Sequence, residues 1–378
     1  MKHNTNNNKK FPNLRFKEFE GEWEKITLHS IALITKGTGI SKDQLSLNGM
    51  PCILYGELYT KYKYEIINEI ISRTDINPTN LVKSKVNDVI IPSSGETAID
   101  ISTARCVTQN DILLGGDLNI IRLKNDDGCF LSYQLNGIRK LDIAKIAQGV
   151  SVVHLYGEKL KHLQVYMPEK IEQKKISSLL YQIDERISTQ IKIIEKFESL
   201  IKGLCRLLIM NNKPTTKIKD CLVCHSSTLS ESEIVNDSGI FCVYGATGII
   251  AYTSQYQIDQ DSILIIKDGS GVGRVQYANG KYSTIGTLNS LTAKNNVCLK
   301  YLFYFLSIFN FEKFIVGSGI PHIYFKDYGE AVFYCPSYDE QQKTANVLTT
   351  ITDKVEIEKQ MLQKMKEQKQ YLLSNLFI

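Results

Sequence analysis

Residues 166–183 read YMPEKIEQKKISSLLYQI, and 168 positions further on residues 334–351 read YCPSYDEQQKTANVLTTI. The two stretches lie inside a longer ungapped match, 149–187 against 317–355, with ten identities in 39 positions. Gly149, His154, Tyr156, Tyr166 and Pro168 recur as Gly317, His322, Tyr324, Tyr334 and Pro336. Glu172, Gln173, Lys175, Leu180 and Ile183 recur as Glu340, Gln341, Lys343, Leu348 and Ile351. A fixed-period self-match of this kind means that one structural unit is built twice. It also bears on GSGIPHIYF (317–325), whose histidine tempts a catalytic reading. A histidine found at the same repeat position twice argues for a turn or a phosphate contact over a unique base.

Downstream of each proline the apolar residues step by fours and threes. In the first copy these are Ile176, Leu180, Ile183, Ile187, Ile194, Phe197, Ile201, Leu204 and Leu208, interrupted by Gln190. In the second they are Leu348, Ile351, Val355, Leu362, Met365, Leu372 and Leu376, interrupted by Glu358 and Lys369. Such spacing over several heptads predicts coiled-coil helices over 169–212 and 338–378, rather than caps packed flat on a β domain. At 1.5 Å per residue each would be a spacer roughly 60 Å long. Gln190 and Glu358 are 168 positions apart and fall at the two helix midpoints. They are expected to face each other as a register-fixing polar pair, the alternative being that both reach to water.

Upstream the two copies keep a pattern but need gaps. NDVIIPSSG (87–95) resembles DSILIIKDG (261–269), and GGDLNII (115–121) resembles GTLNSL (286–291). Short apolar runs between Gly, Asn, Asp and Ser predict strands. LKYLFYFL (299–306) and the 131–136 stretch predict a buried helix in each copy. The fold class is therefore α+β: two β-rich domains with short helices, 1–168 and 213–337, each followed by a long helix.

Composition and charge limit what such a chain does. Its 378 residues are 43% hydrophobic and 22% charged, and the formal net charge is +5. Residues 1–168 carry 21 Lys and Arg against 18 Asp and Glu, and 213–337 carry 10 against 10. No segment announces nucleic acid by charge alone, so DNA binding requires clustering on one face or a partner. The longest apolar runs are too short for a bilayer, and MKHNTNNNKK lacks a signal-peptide core. With nine unframed cysteines, the expected compartment is the cytoplasm.

CLVCH (221–225) has the spacing of a c-type haem attachment site, but an unexported chain argues against haem, and no second Cys/His pair completes a zinc site. KDGSGVGR (267–274) is neither a P-loop nor a dinucleotide fingerprint. Its glycines and its Lys267 and Arg274 suit a phosphate or base-edge contact, and equally an ordinary hairpin turn. YGATGIIAYTSQY (244–256) mixes glycine turns with aromatic and amide side chains. No methyltransferase or nucleotide-hydrolysis motif occurs, and no catalytic constellation is expected.

The doubled Pro-x-x-x-Glu-Gln-x-Lys in PEKIEQKK (168–175) and PSYDEQQK (336–343), each opening a helix, resembles the specificity subunits of type I restriction–modification enzymes. FPNLRFKEFEGEWEKITL (11–28), YGATGIIAYT and IIKDGSGVG resemble further segments of that family. The resemblance implies two target-recognition domains related by a pseudo-twofold and separated by two long antiparallel helices. Each domain would read half of a bipartite, asymmetric double-stranded DNA target. The helices would set the spacing and dock two adenine-methyltransferase subunits, and motor and nuclease subunits would complete the complex. S-adenosylmethionine, ATP and Mg would then bind on those partners, with no cofactor or metal on this chain. Candidate DNA contacts are Lys36, Ser93, Ser94, Asn119 and His154 in the first domain. In the second they are Tyr244, Thr247, Lys267, Ser270, Arg274, Asn289 and His322. Ile183, Ile187, Gln190 and Ile194 are expected to face Ile351, Val355, Glu358 and Leu362 along the seam. The competing reading is a stand-alone two-domain DNA-binding regulator without enzyme partners.

Overall fold

The computed structural model describes residues 11–234 and 239–378. By its internal contacts the chain falls into two compact units, Met1–Gln190 with Met361–Ile378, and Ile191–Gln360. Both are mixed α+β.

The first unit is built on a five-stranded sheet. Its order is Ala32–Lys36, Leu118–Leu123, Asp88–Pro92, Arg105–Val107, Ile66–Ile67, antiparallel except for the last pair. DVIIP (88–92) is buried at every position, which is why Val89–Ile91 do not alternate with polar residues, and the buried Asp88 carboxylate is paired with Arg122 at 2.6 Å. Ile90, Leu118 and Ile120 pack with Ile53, Leu58, Val107 and Leu114 in one core. The helix Gly128–Asn136 lies against the same strand, started by the Asp127 carboxylate, which accepts from the Phe130 N–H at 2.7 Å. A four-stranded sheet, Leu113–Leu114, Met50–Ile53, Ser72–Thr74 and Leu45–Ser46, completes the domain.

Glu24–Thr27 runs antiparallel to Gln164–Met167, so the start of the domain is hooked to the segment entering the first long helix. Arg15 grips Glu172 with two charge-assisted bonds of 2.7 Å, and the indole N–H of Trp23 donates to the same carboxylate at 3.4 Å. Trp23, the one tryptophan, stands edge-on to Phe130 and to Phe377, so the C-terminal residues close this unit's core.

The second unit repeats the plan with other side chains. Its four-stranded antiparallel sheet runs Leu222–Ser226, Leu288–Ala293, Ser262–Ile266, Val275–Ala278. A three-stranded sheet, Gly248–Thr253, Phe241–Gly245, Tyr282–Thr284, lies beyond it. Thr216–Lys217 pairs with Val332–Phe333, the counterpart of the hook at Glu24–Thr27. The helix Leu299–Ile308 buries Tyr301, Leu302 and Phe305 in a core with Ile263, Ile265, Leu291, Phe333 and Leu348.

The first long helix spans Lys170–Cys205 and ends in a π-helical turn, Arg206–Met210; the second spans Tyr338–Asn375. Each is roughly 55 Å long at 1.5 Å per residue. Ile183, Ile187, Gln190, Ile194, Val355 and Glu358 are buried, while Ile351 and Leu362 are half-buried. Glu358 is ion-paired to Lys354 one turn earlier, at 2.7 Å. Within the first unit Lys369 of the second helix meets Asp184 of the first at 2.6 Å. Within the second unit Lys359 meets Glu198 at 2.7 Å. Among the described residues no helix is long and apolar enough to cross a membrane.

Candidate nucleic-acid interface

In the second unit KDGSGVGR is the hairpin tip between Ser262–Ile266 and Val275–Ala278. The Gly273 N–H closes it onto the Ile266 carbonyl at 2.9 Å. Gly273 has φ +83°, and a Cβ there would stand 2.8 Å from the Phe311 Cβ, so the position is closed to other residues. The GSGIPH segment is strapped onto this tip. The Gly269 N–H donates to the Pro321 carbonyl at 3.0 Å, and the Ile323 N–H donates to the Lys267 carbonyl at 2.9 Å. His322 Nδ1 lies 2.6 Å from Asp268 Oδ1. Lys267, Ser270, Arg274 and His322 therefore form one surface, on which Ser270 and Arg274 are exposed and Lys267 and His322 half-buried.

The first unit builds the same frame. The Leu155 N–H donates to the Ser93 carbonyl at 2.9 Å, as Ile323 does to Lys267. His154 pairs with Ser94 and closes an isolated bridge to Gln148, as His322 does to Asp268 and Val316. With serine in place of aspartate, the His154 ring has no carboxylate here and stacks on Tyr156, centroids 6.1 Å apart. Lys36 stands opposite Asn119 in the sheet, and the Asn119 amide donates to the Leu155 carbonyl at 2.8 Å. All five candidates of this unit thus gather at one end of the sheet.

Gathering is not exposure. Ser93, Ser94 and Asn119 are buried, and so is Asn289, whose carboxamide oxygen accepts from the Ser226 hydroxyl at 2.9 Å. These four, expected to touch DNA, are inside the frame; of the first unit's five candidates, Lys36 and His154 face outward. Thr247 is exposed on a separate hairpin turn. The Gln276 amide ties that turn to the sheet by donating to the Gly245 and Ala246 carbonyls, both at 3.2 Å. Tyr244 packs edge-on to Tyr282, with centroids 5.5 Å apart.

An open cleft of about 760 Å³, which Lys36 does not line, has Ser41, Lys42, Gln44, Tyr55, Lys61 and Asp117 among its lining residues. Lys42 and Lys61 were not singled out from the sequence. The available signal was KGTGI (36–40): a Cβ on Gly37 would fall 1.9 Å from the Gly115 carbonyl oxygen, so that glycine marks a close backbone approach.

CLVCH serves the fold. Leu222–Ser226 is an edge strand, Cys221 is in the apolar core, and the His225 ring is hydrogen-bonded to Thr292 at 2.9 Å. No group of metal ligands occurs among the described residues.

A family model described as type I restriction modification DNA specificity domain matches the chain twice, over residues 20–198 and 208–367. The solved S subunit of a type I restriction–modification system from M. genitalium is 19% identical. It superposes with a TM-score of 0.69 over 97% of this chain and 99% of that one. A chain from a structure titled for complex assembly and conformational transition of the type I R-M system is 14% identical. Its TM-score is 0.56, over 93% of this chain and 96% of that one. With both repeats matched, the chain belongs to the family of type I restriction–modification DNA specificity subunits, which are non-catalytic.

Proposed function

We propose that each of the two domains, 1–168 and 213–337, reads one half of a bipartite, asymmetric double-stranded DNA target. The helices 169–212 and 338–378 set the distance between the half-sites and dock two adenine-methyltransferase subunits. Motor and nuclease subunits join that complex, so that unmodified DNA is cut. S-adenosylmethionine, ATP and Mg are held by those partners, and the complex works in the cytoplasm.

One observation carries this reading. The same backbone frame, with a histidine in both copies, is built twice and furnished differently around it: Ser94 and the exposed Lys36 in one copy, Asp268 and the exposed Ser226 in the other. Shared backbone with unlike side chains suits two readers of unlike base sequences, because groove edges are told apart by donor and acceptor pattern. His154 and His322, common to both, serve the phosphate or the loop itself.

The test is methylation mapping of DNA from cells carrying this subunit and its methyltransferase partner. A gapped, two-part adenine-methylated motif is expected. A chain that binds DNA tightly without any methyltransferase, and leaves no such motif, is a solitary regulator instead.

A further inference from the structure

The first unit contains a second, smaller cleft, lined by none of the candidate DNA contacts. Its volume is about 340 Å³, at the lower end of ligand-sized pockets, which run from about 300 to 1,000 Å³. Five of its lining side chains are cationic: Lys63, Arg105, Lys140, Lys366 and Lys369. One, Glu65, is acidic.

The ion pairs leave most of that charge unanswered. Lys369 is committed, lying 2.7 Å from Glu65 and 2.6 Å from Asp184. Among the described residues Lys63, Lys140 and Lys366 make no ion pair. Arg105 is 7% exposed, and its guanidinium donates only to neutral carbonyls, those of Ala104 at 3.1 Å and Tyr62 at 2.9 Å. Its buried Nε has no partner at all. A buried cation is normally paired, since withdrawing it from water is unfavourable. Glu65, Asp184 and Asp100 offset the field only in part. Burial, and then Arg105 itself, push the Lys140 ammonium below its ordinary range.

Nor is the cluster required by the fold, since the second unit lacks it. The partner of Leu264 is Gln276, where the partner of Ile90 is Arg105. The residues 168 positions before Lys366 and Lys369 are Glu198 and Ile201.

We propose that this cleft is a phosphate-binding site, in which Arg105 and Lys140 form the floor and Lys63 and Lys366 the rim. Phosphate fits because it brings the two negative charges and the several acceptor oxygens that four unpaired cationic donors lack. It is supplied either by a free phosphorylated small molecule or by a DNA backbone. The inference stands on the first unit alone and does not rest on the half-site reading.

The experiment uses the full chain and two probes. Inorganic pyrophosphate should raise the melting temperature saturably, beyond a chloride control of equal ionic strength. The double variant Lys63→Gln/Lys366→Gln, changed at the two exposed rim positions, should melt normally but bind pyrophosphate roughly a hundredfold more weakly, about tenfold per lost contact. In the complex with methyltransferase subunits, the same variant reports on DNA. A salt slope lowered by about 2 assigns the site to backbone phosphate, and an unchanged slope with pyrophosphate binding lost assigns it to a free ligand. No pyrophosphate effect in the wild-type chain and no change in slope overturn the proposal. Neither result touches the methylation-motif test.

Discussion

Gln173 clamps the short helix of its own domain to the long helix that follows. Its carboxamide oxygen accepts from the Asp127 N–H at 2.8 Å, where Asp127 is the residue that caps helix Gly128–Asn136. Its amide donates to the Pro168 carbonyl and to the Asp126 carboxylate, both at 2.8 Å. Gln341 repeats the arrangement, accepting from the Cys298 N–H at the head of helix Leu299–Ile308 and donating to the Pro336 carbonyl, each at 2.9 Å. Both glutamines are buried. The doubled Pro-x-x-x-Glu-Gln motif is thus a joint: the glutamine holds the proline carbonyl with its amide and, with its oxygen, satisfies a helix start that would otherwise be orphaned.

Gln173→Ala and Gln341→Ala should each destabilise by about 1–3 kcal/mol, the cost of buried polar groups left unpaired. Gln341→Glu sets a carboxylate oxygen against the Pro336 carbonyl in a buried site, two acceptors with no proton between them, and at neutral pH should cost at least as much as alanine. Urea denaturation measures this; a loss below about 0.5 kcal/mol for both alanine variants would show that the joint carries no weight.

The buried cluster Tyr133–Asp184–Lys369–Glu65 makes stability pH-dependent. Tyr133 donates to Asp184 at 2.7 Å, and Lys369 lies between the two carboxylates. Burial pushes the Asp184 carboxyl up from 3.8 to about 6, with Lys369 holding it back. Below pH 4 the group is protonated folded or unfolded and costs nothing. Between pH 4 and 6 the unfolded chain ionises first, so this group's contribution falls as pH rises. At about 1.4 kcal/mol per pH unit the loss reaches on the order of 3 kcal/mol. Asp184→Asn should therefore gain on wild type between pH 4 and pH 7. A stability difference that stays constant over that range would defeat the argument.

Arg274 stands exposed at the hairpin tip, and Lys267 is half-buried at its base. In the assembled complex Arg274→Ala should lower the salt slope of DNA binding by about 0.9, and affinity should drop for cognate and unrelated DNA alike. Lys267→Ala is expected to do the same. His322→Gln, which loosens the strap at Asp268, should weaken binding without changing the methylated bases. Altered base preference in any of these variants would make the residue a reader.

What the sequence disclosed follows from range. The repeat, the long helices and the buried helices 128–136 and 299–308 are local or periodic signals, and apolar spacing exposes them. Ser93, Ser94, Asn119 and Asn289, expected at the DNA, are buried, and that burial depends on distant partners such as Leu155 and Ser226 that no local pattern reveals. The phosphate cleft was invisible for the same reason: Lys63, Arg105, Lys140 and Lys366 come from four distant stretches.

The last prediction is a graft. Exchanging residues 213–337 for the same region of another specificity subunit should change one half of the methylated motif and leave the other half and the spacer unchanged. The graft must still fit its frame. Cys205 and Ile209 before it, and Ala345 and Leu348 after it, share one core with Tyr301, Phe305, Tyr328 and Phe333 inside it. A donor domain with smaller residues at those four positions would leave cavities costing about 3–5 kcal/mol per aromatic truncated to alanine, and would fail by unfolding, not by misreading. Restoring the four aromatics separates the two causes. If a stably folded graft shifts both half-sites at once, the domains do not read independently, and the modular assignment is wrong.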